Sequence, residues 1–238
     1  MIQDPEFVPE TTDRAAIDED ARRTLAAIEE TILLLQERRR HLPKHLMTRL
    51  PEAIAGLRAL AQRADGYRDE LNTLRIRVHG DYHLGQTLRT SDGDWVIIDF
   101  EGEPARALEQ RRQRASVLKD VAGMLRSFAY ARGAAERAAE ASPAAAREAR
   151  GRLDTWESGA RRAFLEGYRQ ALAGAEVRFV PGDDDAFARA LAAWELDKAL
   201  YEVAYEARNR PDWLELPLSS LLPDLIDQAT DSAGGAPA

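Results

Sequence analysis

Residues 79–86, His-Gly-Asp-Tyr-His-Leu-Gly-Gln, place two of the four histidines, an aspartate and a glutamine within eight positions. A second aspartate, Asp99, ends the apolar run Trp95–Asp99. Three chemistries suit these residue types. His79, Asp81 and His83 alternate as metal ligands do. Zinc, however, needs three or four ligands, and the other histidines, His41 and His45, flank Pro43 with no matching acids. In the plainest alternative the histidines are structural and Asp81 is a turn residue. The third reading rests on order. Gln86 follows Asp81 by five residues, and Asp99 follows Gln86 by thirteen. Phosphoryl transfer from ATP to a hydroxyl uses an aspartate to orient the hydroxyl and take its proton, then an amide oxygen and a second aspartate to hold Mg²⁺.

The flanking elements must carry this loop. Leu74, Ile76 and Val78 alternate with arginines and predict a half-buried strand. Gln86–Thr90 predicts a second short strand, Ser91–Asp94 a tight turn around Asp92-Gly93, and the run from Trp95 its partner strand. Upstream, Ala21, Leu25, Ile28, Ile32, Leu35 and Leu42 predict the buried stripe of a helix stopped by Pro43. Another helical region spans about 46–71, with breaks near Pro51 and Gly66. Downstream, Val117, Val121, Met124, Leu125 and Phe128 mark a core helix, with Asp120 as an anchor. The Ala-rich stretch 135–150 reads as a surface loop and helix start, and Leu153, Trp156, Phe164 and Tyr168 mark another amphipathic helix. A long helix covers about 184–208 and a short one about 218–228. The expected fold is mainly α with a small β-hairpin region, an α+β arrangement.

Composition narrows the partners. The 238 residues carry a net charge of -8, which disfavours nucleic acid and anionic membranes. There are no cysteines, so no disulfide or thiolate site, which fits a cytoplasmic protein. No apolar run reaches bilayer-spanning length, and the first ten residues lack the pattern of a signal peptide.

The segments "HGDYHLGQ", "WVIIDFEGEPARALEQRR", "DVAGMLRSFAYA" and "DKALYEVAYEARNRPDW" together resemble the maltokinase family, relatives of aminoglycoside phosphotransferases with a protein-kinase-like fold, and especially the maltokinase domain fused to trehalose synthase. The resemblance implies an ATP- and Mg²⁺-dependent maltose 1-phosphotransferase. Asp81 would be the base, Gln86, Asp99 and, with less support, Glu101 the Mg²⁺ ligands, and His79 and His83 loop-shaping residues. Tyr201, Glu202, Tyr205, Asn209 and Trp213 would line the maltose pocket. The plainer reading of that helix puts the tyrosines in the core, pairs Lys198 with Glu202 at the surface, and turns Arg208 to an acid inside the lobe. The arginines of 111–114 read as a solvated face.

No Gly-rich loop or strand lysine precedes residue 74, and the lysines are Lys44, Lys119 and Lys198. The expected organisation is therefore a lead-in at 1–11, the C-terminal catalytic lobe of the kinase-like fold at 12–230 and a flexible tail at 231–238, without the N-terminal nucleotide lobe. That missing lobe, or a fused trehalose synthase domain, is the implied protein partner. Two other readings stay open: a kinase for glucosamine or an aminoglycoside, and a non-catalytic kinase-like remnant or interaction domain.

Overall fold

The computed structural model describes residues 7–104, 106–139 and 143–223, with the side chains of 143–147 excepted. The tail at 231–238 and the end of the helix expected at 218–228 lie outside the described residues.

Helix α1 (Arg14–Glu37) starts where the Asp13 carboxylate accepts the Ala16 N–H, a side-chain N-cap. Its buried face carries Thr24, Ile28, Thr31, Ile32 and Leu35. Leu25, expected in this stripe, is 43% exposed. The face is set by Thr24, one position away and so about 100° around the helix, whose hydroxyl meets the Tyr67 hydroxyl at 2.8 Å. After Pro43 come α2 (Lys44–Thr48) and α3 (Leu50–Ala59), then an extended 3₁₀ segment, Leu60–Glu70. Gly66 is required inside it: a Cβ there would lie 2.2 Å from the Arg189 carbonyl oxygen.

Strand β1 (Glu10–Thr11) pairs antiparallel with β2 (Leu74–Ile76), in register Glu10↔Arg75. The lead-in expected at 1–11 thus ends as an edge strand, too short to show alternation in sequence. Hairpin β3 (Thr87–Arg89) and β4 (Trp95–Ile97) forms as expected, with Leu88 opposite Val96 and Gly93 at φ +97° in the turn. After α4 (Leu108–Arg112), β5 (Ala115–Ser116) completes the three-stranded sheet β1-β2-β5. The 111–114 run is partly structural: Arg114 Nε donates to the Val8 carbonyl at 2.5 Å, and Arg111 Nη1 to the Glu101 carbonyl at 3.1 Å.

Helix α5 (Leu118–Ala138) continues through much of the expected surface loop, and α6 (Pro143–Leu172) follows almost at once. Alanines favour helix, so the solvent-facing composition did not need a loop. Helix α7 (Asp184–Asn209) is capped by Asp183, which accepts the Ala186 N–H. A 3₁₀ turn, Pro211–Trp213, leads to α8 (Glu215–Leu221).

Helix α7 is the central element, buried on several sides. Its second half packs with α1, α3 and α8 around Leu57, Leu200, Val203 and Leu218. Its first half packs with α5 and the 3₁₀ segment around Trp194, Tyr67 and Leu125. Tyr67 and Trp194 meet edge to face at 5.1 Å, and the Tyr67 hydroxyl also reaches the Ala193 carbonyl at 3.1 Å. Each fully buried large apolar side chain contributes roughly 2 kcal/mol on burial, so this axis anchors the domain. Among the described residues no helix is long and apolar enough to cross a membrane.

Candidate active site

The loop from Arg77 to His83 leaves β2 and crosses over the N-terminal part of α5. Two contacts fix its height. Gly123 of α5 leaves no room for a side chain, since a Cβ there would sit 2.6 Å from the Tyr82 carbonyl oxygen. Asp120, in the first turn of α5, accepts the N–H groups of His79 at 2.7 Å and Gly80 at 2.8 Å. Burial pushes the Asp120 carboxyl above its ordinary range, and the two amides offset part of that cost.

His79 is 6% exposed. Its Nε2 lies 2.8 Å from the Ile98 carbonyl oxygen and must donate, so Nδ1 is the acceptor for the Asp81 N–H at 3.4 Å. The ring packs 4.7 Å from Phe100 and ties the loop to the segment after β4. Gly80 and Gly102 both have positive φ, +84° and +76°, and a Cβ on Gly80 would come within 3.3 Å of Gly102 Cα. Glycine lets the two backbones touch.

This contact sets Asp81 beside the residues of the second loop. Gln86, in the 3₁₀ turn Leu84–Gln86, donates from Nε2 to Asp99 Oδ2 at 2.9 Å. Asp99 has φ +64°, a left-handed conformation that is uncommon for a residue with a side chain. Magnesium favours hard oxygen donors and keeps waters or phosphate oxygens as further ligands, so one carboxylate and one amide oxygen suit it. Asp99 offers such a carboxylate; Gln86 faces it with its amide nitrogen, so its oxygen would join a metal only with the amide turned over. No hydrogen bond joins the carboxylate of Glu101 to either, and its residue is exposed. Among the described residues no group of three His, Cys, Asp or Glu side chains is placed to hold a metal, so the metal reading of His79, Asp81 and His83 finds no support.

His83 caps the 3₁₀ turn: its Nδ1 accepts the Gly85 N–H at 3.1 Å, and its Nε2 stands 4.0 Å from Asp81 Oδ2. Burial lowers its pKa, with Asp81 opposing.

On the other side Asp81 opens into a cleft of about 470 Å³ whose far wall is α7. Tyr201, Glu202 and Tyr205 line it; Asn209 and Trp213 do not. Asn209 Nδ2 instead bonds the Tyr205 carbonyl at 2.8 Å, and Trp213 lies between the guanidinium groups of Arg137 and Arg210 at 5.1 and 5.2 Å. Arg208 is exposed. The tyrosines are not core residues: Tyr205 is 42% exposed and stacks on Tyr201.

The Lys198–Glu202 surface pair does not form. Glu202 is 8% exposed and accepts a hydrogen bond from Arg126 Nε at 2.8 Å, with Arg126 Nη2 in ion-pair contact at 2.6 Å. Lys198 turns to Asp81 and to Glu103, which is 1% exposed. Burial opposes the Lys198 charge, but Glu103 and Asp81 outweigh it and raise its pKa. Burial likewise opposes charge on Glu103, yet Lys198 and Arg106 hold its carboxyl at about 2. Glu206, one helical turn beyond Glu202, is 1% exposed, bonded by Arg210 Nε at 2.9 Å and by the Tyr130 hydroxyl at 3.2 Å. Glu206 was legible from its i+4 spacing to Glu202. Glu103, Arg126 and Tyr130 had no such signal.

No family model matches the chain. It is 34% identical over 179 residues to a glucosamine kinase of Streptacidiphilus jiangxiensis, covering 71% of this chain and 38% of that protein. It is 36% identical over 154 residues to a glucosamine kinase of Mycolicibacterium smegmatis, covering 65% of this chain and 35% of that one. A solved glucosamine kinase, crystal form B, superposes with a TM-score of 0.70 at 26% identity, over 93% of this chain and 48% of that chain. A glucosamine kinase in complex with glucosamine, ADP and inorganic phosphate superposes with a TM-score of 0.67 at 29% identity, over 92% of this chain and 46% of that chain. The chain spans less than half the length of each of these four relatives. It is related to glucosamine kinase, and its mainly helical fold corresponds to a portion of that kinase's structure.

Proposed function

We propose, from this relation to glucosamine kinases, that the chain is the acceptor-binding and base-bearing portion of an ATP-dependent sugar kinase acting on an amino sugar of the glucosamine type. The observation that supports the reading is Asp81 lining a cleft walled by Tyr201, Glu202 and Glu206, on the same short loop that leads to the bonded Gln86–Asp99 pair. Asp81 accepts the proton of the acceptor hydroxyl as that oxygen bonds to the transferring phosphorus and the bond to ADP breaks. Asp99 and Gln86 would hold Mg²⁺, which would supply charge neutralisation on the phosphates. Tyr201 and Tyr205 offer stacked rings to a sugar face, while the α7 acids Glu202 and Glu206 are already paired with Arg126 and Arg210 and do not choose the acceptor. The relatives support an amino sugar over maltose, the acceptor expected from sequence.

The test is calorimetric titration of the chain with glucosamine and with maltose, followed by ADP release with ATP and Mg²⁺ for the chain alone and supplied with the nucleotide-binding portion of a relative. Glucosamine binding and turnover, both lost to maltose and the turnover abolished by Asp81→Asn, are expected. Maltose phosphorylation would return the acceptor to the maltokinase reading. Sugar binding with no turnover in either setting would favour a non-catalytic kinase-like domain.

A further inference from the structure

A buried ammonium stands directly on the proposed base. Lys198 Nζ donates to Asp81 Oδ1 at 3.0 Å and to Glu103 Oε1 at 2.7 Å, and lies 4.9 Å from the centre of the Tyr201 ring. Two of its three donors are therefore spent on two carboxylates that belong to different loops. The neighbouring helix positions Leu196, Ala199 and Leu200 fill the core, whereas Lys198 leaves α7 towards the cleft.

Glu103 is itself held. It pairs with Arg106, whose Nη2 reaches Asp197 at 3.3 Å. Asp197 lies 3.7 Å from Arg23, Arg23 is 2.8 Å from Asp20, and Asp20 is 2.8 Å from Arg75 on β2. Charges alternate in sign along this whole path, from the strand that feeds the loop back to Asp81. Buried ion pairs of this kind add little net stability, because desolvation offsets their attraction. What they do supply is a fixed orientation for each member.

Asp81 Oδ1 is occupied, while among the described residues no hydrogen bond reaches Oδ2, which stands 4.0 Å from His83 Nε2. We infer that Lys198 is a positioning residue for phosphoryl transfer: it holds Asp81 by Oδ1 so that Oδ2 is left to take the acceptor's proton, and Glu103 holds Lys198 in place. The inference rests on Asp81 being the base.

Lys198→Met keeps the length of the stem and removes the charge. In the active kinase this variant is expected to lower kcat for glucosamine about 10²-fold, with KM changed by less than about threefold. Lys198→Ala should recover part of the lost rate when propylamine is added, because a small ammonium can enter the space. Equal losses in KM and melting temperature with no amine rescue are what a packing role produces, and they overturn the inference. Carboxyl ¹³C NMR reads the same contact without turnover. Lys198→Met should move the Asp81 and Glu103 resonances and leave that of Glu29 in place; an unmoved Asp81 resonance overturns the inference even in an active enzyme. If the wild type shows no turnover under any condition, the proposed function fails, and the NMR result alone decides whether Lys198 positions Asp81.

Discussion

The Gln86 amide and the Asp99 carboxylate meet at 2.9 Å although they lie thirteen residues apart and on opposite sides of the β3–β4 hairpin. The hairpin register Thr87↔Ile97 brings the two strand ends together, and the Ile98 N–H donates to the Gln86 carbonyl at 3.0 Å to close them. Under the proposed function a divalent ion would be held at this closure by the Asp99 carboxylate and, with its amide turned over, by the Gln86 oxygen. Asp99→Asn is expected to weaken Mn²⁺ binding at least about 10-fold, and Gln86→Ala less so, because a charged ligand contributes more than a neutral one. Water-proton relaxation enhancement with Mn²⁺ measures both. Equal affinity in wild type and Asp99→Asn would remove Asp99 from the metal site.

Asp120 carries the backbone of the His79–Asp81 loop on its two oxygens. Asp120→Ala leaves two loop amides without their acceptor, and each unsatisfied buried group costs about 1–3 kcal/mol. The expected result is a global destabilisation of about 2–6 kcal/mol by urea denaturation, with faster hydrogen exchange at the His79 and Gly80 amides. Unchanged exchange there would show that the loop is held by other contacts.

Arg126 is the buried counter-ion of Glu202, and its Nη1 also reaches Ser220 Oγ at 2.5 Å. Arg126→Met strands a carboxylate in a site that is 8% exposed. Breaking one side of such a pair costs about 3–5 kcal/mol, more than losing the pair entirely. The double variant Arg126→Met/Glu202→Leu should therefore be more stable than Arg126→Met alone. Thermal denaturation of the four proteins of this cycle measures it, and additive losses would contradict the pairing.

Glu70 is 2% exposed, accepts Trp194 Nε1 at 2.8 Å and is bonded by Ser116. Burial raises its carboxyl from the ordinary 4.5 to about 7, against the pull of these two donors. The folded chain thus keeps a proton between those values that the unfolded chain has released. Stability from this group is complete below pH about 4.5 and is lost as pH rises towards about 7. Glu70→Gln removes this slope. The wild-type melting temperature should fall relative to the variant between pH 5 and about 7.5, and parallel curves would refute the assignment.

Much of the frame was legible in the sequence because it is local. Asp92-Gly93 marks the hairpin turn, Asp183 the cap of α7, and Val121, Leu125 and Phe128 the buried side of α5, whereas α1 ends at Glu37, before the stop expected at Pro43. The order Asp81, Gln86, Asp99 is likewise written along one short stretch. Periodicity misassigned Leu25, because the buried face there is chosen by Thr24 meeting Tyr67 from forty-three residues away. The resemblance also joined Asn209 and Trp213 to the cleft, although the helix ends at Asn209 and the following turn sets Trp213 against two arginines.

By itself, then, the sequence determined which residues could do chemistry and which short elements present them, since both follow from neighbouring residue types. Only the tertiary structure decided the partners of the charges. Lys198 had Glu202 four residues away on the same helix and turned instead to Asp81 and Glu103, 117 and 95 residues distant. A buried charge goes to the partners that fully satisfy it, and the packing of α7 against α5 had already given Glu202 to Arg126. Choices of that kind depend on which surfaces meet, and no local pattern encodes them.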